Sequence, residues 1–215
     1  DQKFTKKELN YFLQKFNIKS SKKLFVIAPG SRPSELRRHL PTILNAIPYI
    51  KKEIGEIEFI LPLAESLNLK EVEKMIQSTA VPITIVREHF FESILSCDAA
   101  IVASGTASLQ AGLALKPFII VYKVAPLTFW IARILSNTKY IGMVNILAKK
   151  EIVPELLQNE FNVRNIAAKS IMILQDQDYR VKIISELKKI KKMLGEKKAY
   201  NRAALSIKKF LEKNI

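Results

Sequence analysis

The amino-acid sequence predicts an α/β fold, with a Rossmann-like parallel sheet that carries helices on both faces. Short apolar runs alternate along the chain with segments of helical periodicity. Two of the runs end in glycine turns, Pro-Gly-Ser-Arg at 29–32 and Ser-Gly-Thr at 104–106. Apolar strands that alternate with helices favour a parallel sheet covered on both sides, and such sheets bind ligands where their strands end. The two turns therefore mark the candidate site.

The predicted elements follow one another from the N-terminus. Thr5 and Glu8 have the spacing of a capping box, which predicts a helix through residue 16. Strands are predicted at the apolar runs 24–28, 57–61, 83–86, 99–103 and 118–122. Between them, helices are predicted from about residue 34 and at 71–77, 89–96 and 106–115. Pro41 and Pro48 are expected to limit or bend the first of these helices, since proline lacks the N–H that a helix interior needs.

The C-terminal part of the chain is predicted to be mostly helical. A strongly apolar helix is predicted at 127–135, followed by a short segment at 141–147 and several further helices. In the helix predicted at 181–194, the residues expected to face inward are Ile184, Leu187, Ile190, Met193 and Leu194. The helix at 127–135 is too short to span a bilayer. It is expected either to pack in the core or to place Phe129 and Trp130 at a lipid interface.

Length and composition are those of a chain with one full core, since 48% of the 215 residues are hydrophobic. We expect an N-terminal basic helix at 1–23, a Rossmann-like domain at 24–176 and C-terminal basic helices at 177–215. Cys97 is the single cysteine, which excludes an internal disulfide and suits a reducing compartment. The sequence opens with neither a signal peptide nor a methionine, so we expect a processed chain or a part of a longer protein.

The net charge of +15 is concentrated at the two ends of the chain. Residues 1–23 carry seven lysines and two acids, and residues 180–215 carry twelve lysines or arginines and three acids, so the middle is nearly neutral. Basic helices are attracted to anionic membrane surfaces by about 1 kcal/mol per well-placed cation. They also occur as plain solvated faces. Nucleic acid is the weakest interpretation, because no aromatic or glycine-arginine interleaving accompanies the lysines.

The first glycine turn brings together Gly30, Ser31, Arg32 and Glu35. An arginine fork binds a diphosphate through two parallel hydrogen bonds, and Glu35 has the spacing to orient that arginine or to accept from a sugar hydroxyl. The turn is not a Walker A loop, because the Gly-Lys-Ser/Thr ending is missing. The alternative is an ordinary turn with a capping Ser34 and an exposed ion pair.

The second glycine turn, Ser104, Gly105 and Thr106, is the better phosphate candidate. It lies between a strand and a helix, so backbone N–H groups and two hydroxyls point at whatever lies over the helix N-terminus. Gln110 follows one helical turn later, within reach of a ribose or another sugar hydroxyl. The alternatives are a plain helix N-cap and a surface glutamine without a function.

Other chemistries find little support in the sequence. His39 and His89 are the only histidines, and neither has a cysteine or a paired acid at ligand spacing, so no metal site is expected. A Ser-His-Asp triad is poorly supported, because no Gly-x-Ser-x-Gly elbow occurs. His89 is interpreted as a residue at a helix start, with a place in the cleft as the alternative. Asn145 is either a cleft ligand or a satisfied turn residue, since a buried amide is costly unless it is hydrogen-bonded.

Together these motifs resemble lipid-A-disaccharide synthase, a family of bacterial glycosyltransferases that join two acylated glucosamine units. The matching segments, in family order, are 28–35, 97–109, 121–133, 144–148 and 153–158. They cover almost the whole chain from residue 24, but only the C-terminal half of the family's length. The resemblance implies the C-terminal domain of a two-Rossmann (B-type) glycosyltransferase. The family's N-terminal half, which supplies acidic catalytic residues, has no counterpart in these residues.

The resemblance also implies roles for individual residues. Arg32 and Asn145 match the family's catalytic arginine and asparagine. The expected binding residues for the donor, UDP-2,3-diacylglucosamine, are Gly30, Ser31, Glu35, Ser104, Gly105, Thr106 and Gln110. No metal and no cofactor is implied, since the UDP-sugar is a substrate. Two positions depart from the family pattern: Gln110 replaces a glutamate, and Lys123 replaces an arginine, which keeps the charge and loses the planar fork.

The implied reaction is transfer of 2,3-diacylglucosamine from the UDP-sugar to a lipid X-type acceptor, 2,3-diacylglucosamine 1-phosphate, with release of UDP. The implied location is cytoplasmic, peripheral at the inner-membrane surface. Glu155-Leu-Leu-Gln158 resembles a segment of a swapped dimer, so a homodimer partner or a missing N-terminal half is expected to complete the site. No general base is evident, so we expect UDP binding with little turnover. The alternatives are a non-catalytic UDP-sugar-binding or interaction module and another UDP-hexosamine B-type glycosyltransferase.

Overall fold

A parallel sheet forms the centre of the computed structural model, which describes residues 4–125, 139–195, 207, 210 and 211. Its strands are β1 (Lys23–Ala28), β2 (Ile57–Leu63), β3 (Ile83–Arg87), β4 (Ala99–Ala103), β5 (Phe118–Tyr122) and β6 (Glu155–Leu157). They are ordered β3-β2-β1-β4-β5-β6, and every neighbouring pair is parallel. The predicted α/β fold with a parallel sheet is confirmed.

Helices connect the strands and cover them. They are α1 (Lys6–Lys15), α2 (Pro33–Ile54), α3 (Leu69–Ile76), α4 (Phe90–Ser96), α5 (Thr106–Leu113), α6 (Met143–Ala148), α7 (Val163–Gln175) and α8 (Gln177–Leu194). A short 3-10 helix, Gln158–Glu160, follows β6. The middle strands are buried along nearly their whole length, as continuous apolar runs with helices on both sides require. The rings of Phe25, Phe59 and Phe118 are fully buried in this core.

Prolines do not end the elements in which they occur. The helix α2 continues for 22 residues through Pro41 and Pro48, so the expectation that they limit it is wrong. One face of α2 is buried along its length, and that packing outweighs the hydrogen bonds lost at proline. Strand β2 also continues past Pro62. This residue pairs only with Val86 of β3, beyond the point where β1 and β2 separate.

Two details of the C-terminal region differ from the sequence pattern. The pattern misses β6, whose three residues are too few to show a periodicity. In α8 the buried residues are Ile183, Leu187 and Ile190, whereas Met193 and Leu194 are 57% and 40% exposed. The expected inward face is therefore wrong at the last turn of α8, which no described residue covers.

The basic helices at both ends of the described chain contact the central domain. The predicted capping box of α1 is present: Thr5 Oγ1 accepts from the Glu8 N–H, and the Glu8 carboxylate accepts from the Thr5 N–H. Helix α1 buries Phe12, and α8 donates from Lys191 Nζ to the Leu113 carbonyl. Among the described residues, no helix is both long enough and apolar enough to cross a bilayer.

Candidate functional site

An open cleft of about 690 Å³ lies at the carboxyl ends of the central strands. The residues predicted for the site that line it are Gly30, Ser31, Arg32, Glu35, Ser104, Gly105, Thr106 and Gln110. The two glycine turns meet because β1 and β4 are neighbours in register, with Ala28 opposite Val102. Parallel strands end at the same edge of the sheet, so the turns that follow them lie side by side.

In the first turn the N–H groups of Ser31 and Arg32 are already occupied. Gly30 has a φ of 123°, and a side chain there would overlap the Glu35 carboxylate. The same carboxylate accepts from the N–H groups of Ser31 at 3.1 Å and Arg32 at 3.4 Å. Glu35 therefore neutralises the N-terminus of α2 from within the chain.

The Arg32 guanidinium points out of this turn, with 79% of its side chain exposed. Its Nη1 is 3.5 Å from Glu35 Oε1, a long contact for an ion pair in water. Glu35 therefore lies within ion-pair distance of Arg32, and the guanidinium keeps its other donors for a ligand.

In the second turn the N–H groups of Gly105 and Thr106, and that of Ala107 after them, remain open. Gly105, with a φ of 150°, precedes the first turn of α5, which contains no acidic residue and receives no side-chain cap. No described residue accepts from the N–H groups of Gly105, Thr106 or Ala107. These groups and the positive end of the helix dipole face the cleft, an arrangement that attracts an anion.

The start of this turn is fixed by two hydrogen bonds. The Ser104 N–H donates to the Val121 carbonyl at 3.0 Å, and Ser104 Oγ donates to the Ile141 carbonyl at 3.3 Å. The Ser104 hydroxyl is therefore occupied within the chain. Thr106 and Gln110, which lie one helical turn apart, are both exposed to the cleft.

The opposite wall of the cleft was not predicted from the sequence. It consists of Pro62 and Leu63 at the end of β2, Ala64 after it, and Glu88, Phe90, Phe91 and Glu92 from the segment that follows β3. Glu88 adopts a left-handed conformation with a φ of 62°, which is uncommon for a residue other than glycine. Knowledge of the strand order would have predicted this wall, because β2 and β3 end at the same edge of the sheet as β1 and β4.

Asn145 lies outside the cleft and is completely buried. Its Nδ2 donates to the Val153 carbonyl and to Glu155 Oε1, both at 2.8 Å. Its Oδ1 accepts from the N–H groups of Ile152 at 2.8 Å and Val153 at 3.1 Å. All four hydrogen-bonding positions of the amide are used inside the chain. Of the two alternatives in the sequence, the geometry matches the satisfied turn residue.

Glu155 and Gln158 are also bonded within the chain. The Glu155 carboxylate accepts from the N–H groups of Ile141 and Gly142 at 2.9 Å, in addition to Asn145. Gln158 accepts from the Val124 N–H at 2.9 Å and donates to the Val124 carbonyl at 3.2 Å. This short segment therefore fixes the backbone on both sides of residues 126–138.

The two histidines occupy different places. His39 is fully buried in α2 and bonded through both ring nitrogens. His89 immediately precedes α4, as its interpretation as a helix-start residue predicts, and its Nδ1 lies 2.9 Å from Glu92 Oε1. The apolar helix predicted at 127–135 lies outside the described residues. Within 4–125 and 139–195, no group of three or more His, Cys, Asp or Glu side chains could hold a metal ion.

Comparison with known sequences gives a family-level match. Residues 1–210 match the family model of lipid-A-disaccharide synthetase. The chain is 36% identical over 202 residues to the lipid-A-disaccharide synthase of Persephonella marina, covering 92% of this chain and 53% of that protein. The protein of the same name from Trichlorobacter lovleyi is 34% identical over 180 residues, with coverages of 84% and 47%. The chain thus spans about half the length of the curated relatives it matches.

Solved structures with the same fold include glycosyltransferases and a UDP-GlcNAc 2-epimerase. A glycosyltransferase from Rickettsia africae superposes with a TM-score of 0.67 at 15% identity, covering 99% of this chain and 54% of that one. The MnaA–UDP co-structure from S. aureus gives a TM-score of 0.66 at 12% identity, with coverages of 93% and 48%. At these identities the similarity establishes the fold alone.

Proposed function

The chain belongs to the lipid-A-disaccharide synthetase family, and on that premise we propose that its cleft is the donor half of a glycosyltransferase site. The proposed donor is UDP-2,3-diacylglucosamine. The proposed acceptor is 2,3-diacylglucosamine 1-phosphate, and the products are lipid A disaccharide 1-phosphate and UDP. We further propose that residues 24–176 form the donor-binding domain, flanked by the basic regions 1–23 and 177–215.

One observation carries the proposal: the uncapped N-terminus of α5 faces the cleft beside the exposed guanidinium of Arg32. The diphosphate would accept from the N–H groups of Gly105, Thr106 and Ala107, with Arg32 on its other side. The S. aureus structure of this fold is described as a complex with UDP. A UDP-GlcNAc 2-epimerase of Neisseria meningitidis with the same fold is described with bound UDP-GlcNAc. Both descriptions support a UDP-sugar as the ligand class.

The proposed chemistry follows from where charge develops. When the bond from the anomeric carbon to UDP breaks, negative charge grows on the departing diphosphate. Oriented N–H groups and a guanidinium stabilise that charge more strongly in the transition state than in the ground state. The acceptor hydroxyl attacks the anomeric carbon and loses its proton to a general base. We propose that this base lies outside the described residues, on the half of the family sequence that this chain does not span.

We assign the nucleoside to the opposite wall of the cleft. Phe90 and Phe91 are half-buried rings that line this wall. Stacking on an aromatic side chain stabilises a bound base by about 1–3 kcal/mol. Gln110, on the α5 side, is the proposed partner of a ribose or sugar hydroxyl.

Asn145 is proposed as a positioning residue rather than a ligand of the substrate. Asn145 Nδ2 donates to the Glu155 carboxylate, which also accepts from the N–H of Ile141. The Ile141 carbonyl in turn accepts from Ser104 Oγ. The amide is thereby linked through three hydrogen bonds to the turn that receives the diphosphate. Replacing Asn145 should therefore disturb Ser104 without removing a direct contact to the ligand.

The partners of the chain are also proposals. Exposed lysines on α8 (Lys182, Lys188, Lys189, Lys191 and Lys192) suit an anionic membrane surface, and sedimentation with vesicles with and without phosphatidylglycerol tests this. The site is proposed to be completed by the N-terminal half of the family sequence or by a second copy of the chain. In a swapped dimer, Glu155 and Gln158 would make their contacts to the second copy. A molar-mass measurement in solution therefore distinguishes completion by a second copy, which gives a dimer, from completion by the N-terminal half, which leaves this chain a monomer.

Calorimetric titration with UDP tests the donor site. Wild-type chain should bind UDP, and Arg32→Ala should weaken binding about tenfold to 100-fold, the loss expected for a hydrogen bond to a charged group. Arg37→Ala is the matched control, since Arg37 is an exposed arginine in the first turns of α2, the helix that Arg32 immediately precedes, and is paired with Glu71 outside the cleft. UDP binding without any sugar transfer, once the N-terminal half, the donor UDP-2,3-diacylglucosamine and the acceptor are supplied, would favour a non-catalytic binding module. A folded chain that ignores UDP would refute the donor site.

A further inference from the structure

His39 is a buried polar side chain for which the proposed chemistry has no use. It belongs to α2, and none of its surface is exposed. Its ring lies 5.6 Å from the Phe161 ring and 6.2 Å from the Tyr122 ring, measured between centroids. A buried imidazole has to be hydrogen-bonded, because leaving it unpaired costs free energy.

Both ring nitrogens have backbone partners, which fixes the tautomer. Nδ1 lies 2.7 Å from the Pro29 carbonyl, which can only accept, so Nδ1 carries the proton. Nε2 accepts from the Lys123 N–H at 3.0 Å, so it is unprotonated. The two contacts together require a neutral ring with the proton on Nδ1.

The two partners lie on opposite sides of the anion-binding turn. Pro29 follows β1 and Lys123 follows β5, whereas β4 lies between these strands in the sheet. The imidazole thus bridges the end of β4, where Ser104 begins. Ser104 is itself bonded to Val121, two residues before Lys123. The bridge therefore joins the turn that carries Arg32 to the strand on which the Ser104 turn is anchored.

We propose that His39 is the positioning residue that sets the separation of Arg32 from the N–H groups at the start of α5. This inference rests on the proposed function, because a diphosphate held from two sides is what needs that separation. Loss of either hydrogen bond removes this link and leaves the two turns connected through the pairing of β1 with β4. Binding of the diphosphate should suffer, whereas binding of the nucleoside on the opposite wall should not.

Two variants each remove one of the two links. His39→Asn keeps an amide near the Nδ1 position, facing Pro29, and His39→Gln keeps one near the Nε2 position, facing Lys123. Affinities for UDP and for uridine are measured by NMR titration for the wild type and both variants. We expect each variant to weaken UDP binding about fivefold to tenfold, the loss of one buried hydrogen bond, and to change uridine binding less than about twofold.

The outcomes separate this inference from the donor-site proposal. The positioning role alone is overturned if the variants bind UDP with wild-type affinity, or if their affinities for UDP and for uridine fall by the same factor. Wild-type chain that binds no UDP overturns the proposed function. The ¹⁵N shifts of the His39 ring provide a measurement that needs no ligand: they should report a neutral ring protonated at Nδ1 at pH 7.5. A ring protonated at Nε2 overturns the inference even if UDP binds.

Discussion

Replacing Asn145 by aspartate tests whether this amide has a positioning role. The two side chains have nearly the same shape, but an oxygen replaces the Nδ2 donor. That oxygen would face the Val153 carbonyl and Glu155 Oε1, each 2.8 Å from the donor that it replaces. Two hydrogen bonds become two repulsive contacts, one of them between carboxylates in a fully buried site.

The expected loss in free energy of unfolding, called the deficit below, follows from the proton that the folded Asn145→Asp variant must bind. To avoid two adjacent negative charges, the folded variant takes up a proton that the introduced carboxylate shares with Glu155. Protonating a carboxyl of ordinary pKa 3.9 at pH 7 costs about 4 kcal/mol, at 1.36 kcal/mol per pH unit. The pKa of the introduced carboxyl is thus raised in the folded state, so the deficit is largest at high pH and falls with decreasing pH. Between pH 7 and pH 5 it should shrink by about 3 kcal/mol.

Urea unfolding of wild type and variant at pH 7 and pH 5 measures this difference. Asn165→Asp is the matched control, because Asn165 Nδ2 also donates to a carbonyl and a carboxylate, those of Glu160, at an exposed site. The control should lose less than about 1 kcal/mol, with little pH dependence, since exposed charges are screened by water. An Asn145→Asp deficit below about 1 kcal/mol, or one independent of pH, would refute the positioning network.

Three further predictions concern other residues. Gly30→Ala should lower the free energy of unfolding by about 2–3 kcal/mol, through positive-φ strain and overlap with Glu35, whereas Gly55→Ala, with open space around it, should lose about 1 kcal/mol in thermal unfolding. Burial raises the pKa of the Cys97 thiol to about 12. Iodoacetamide should therefore label native chain at pH 8 only as fast as it unfolds, and labelling of folded chain at the rate of a free thiol would contradict this. Burial lowers the pKa of His39 below its ordinary value of 6.5. The stability due to the neutral ring should be complete above pH 6.5 and be lost as the pH falls towards the folded-state pKa. Urea unfolding of the wild type at several pH values should show this loss, and the His39→Gln variant should not show it.

The fold could be predicted because its strands are apolar runs separated by helical patterns. β4 and β5 begin and end where the sequence predicts, at Ala99–Ala103 and Phe118–Tyr122. The same periodicity does not report tertiary packing. It therefore does not anticipate that α2 continues through two prolines, or that the three residues of β6 join the sheet edge.

The candidate site also has a part that the sequence predicts and a part that it does not. The glycine turns could be predicted because Gly30 and Gly105 each come two residues after the end of an apolar strand, and neighbouring parallel strands bring their turns together. The wall containing Glu88 and Phe91 could not, because it depends on strand order, and strand order is not a local property of the sequence. Asn145 was recognisable as a polar residue in an apolar segment, but only its contacts separate a cleft ligand from a satisfied turn residue.

The measurement that tests the central claim most directly is a ¹⁵N-¹H NMR titration of the chain with UDP. The N–H groups of Gly105, Thr106 and Ala107 have no acceptor among the described residues, whereas those of Ser31 and Arg32 are bonded to Glu35. We predict that UDP produces the largest backbone amide shifts at 105–107, and that the amides of residues 31 and 32 shift less. Saturable binding with the largest shifts at 31 and 32, or with none at 105–107, would contradict the assignment of the diphosphate to the N-terminus of α5.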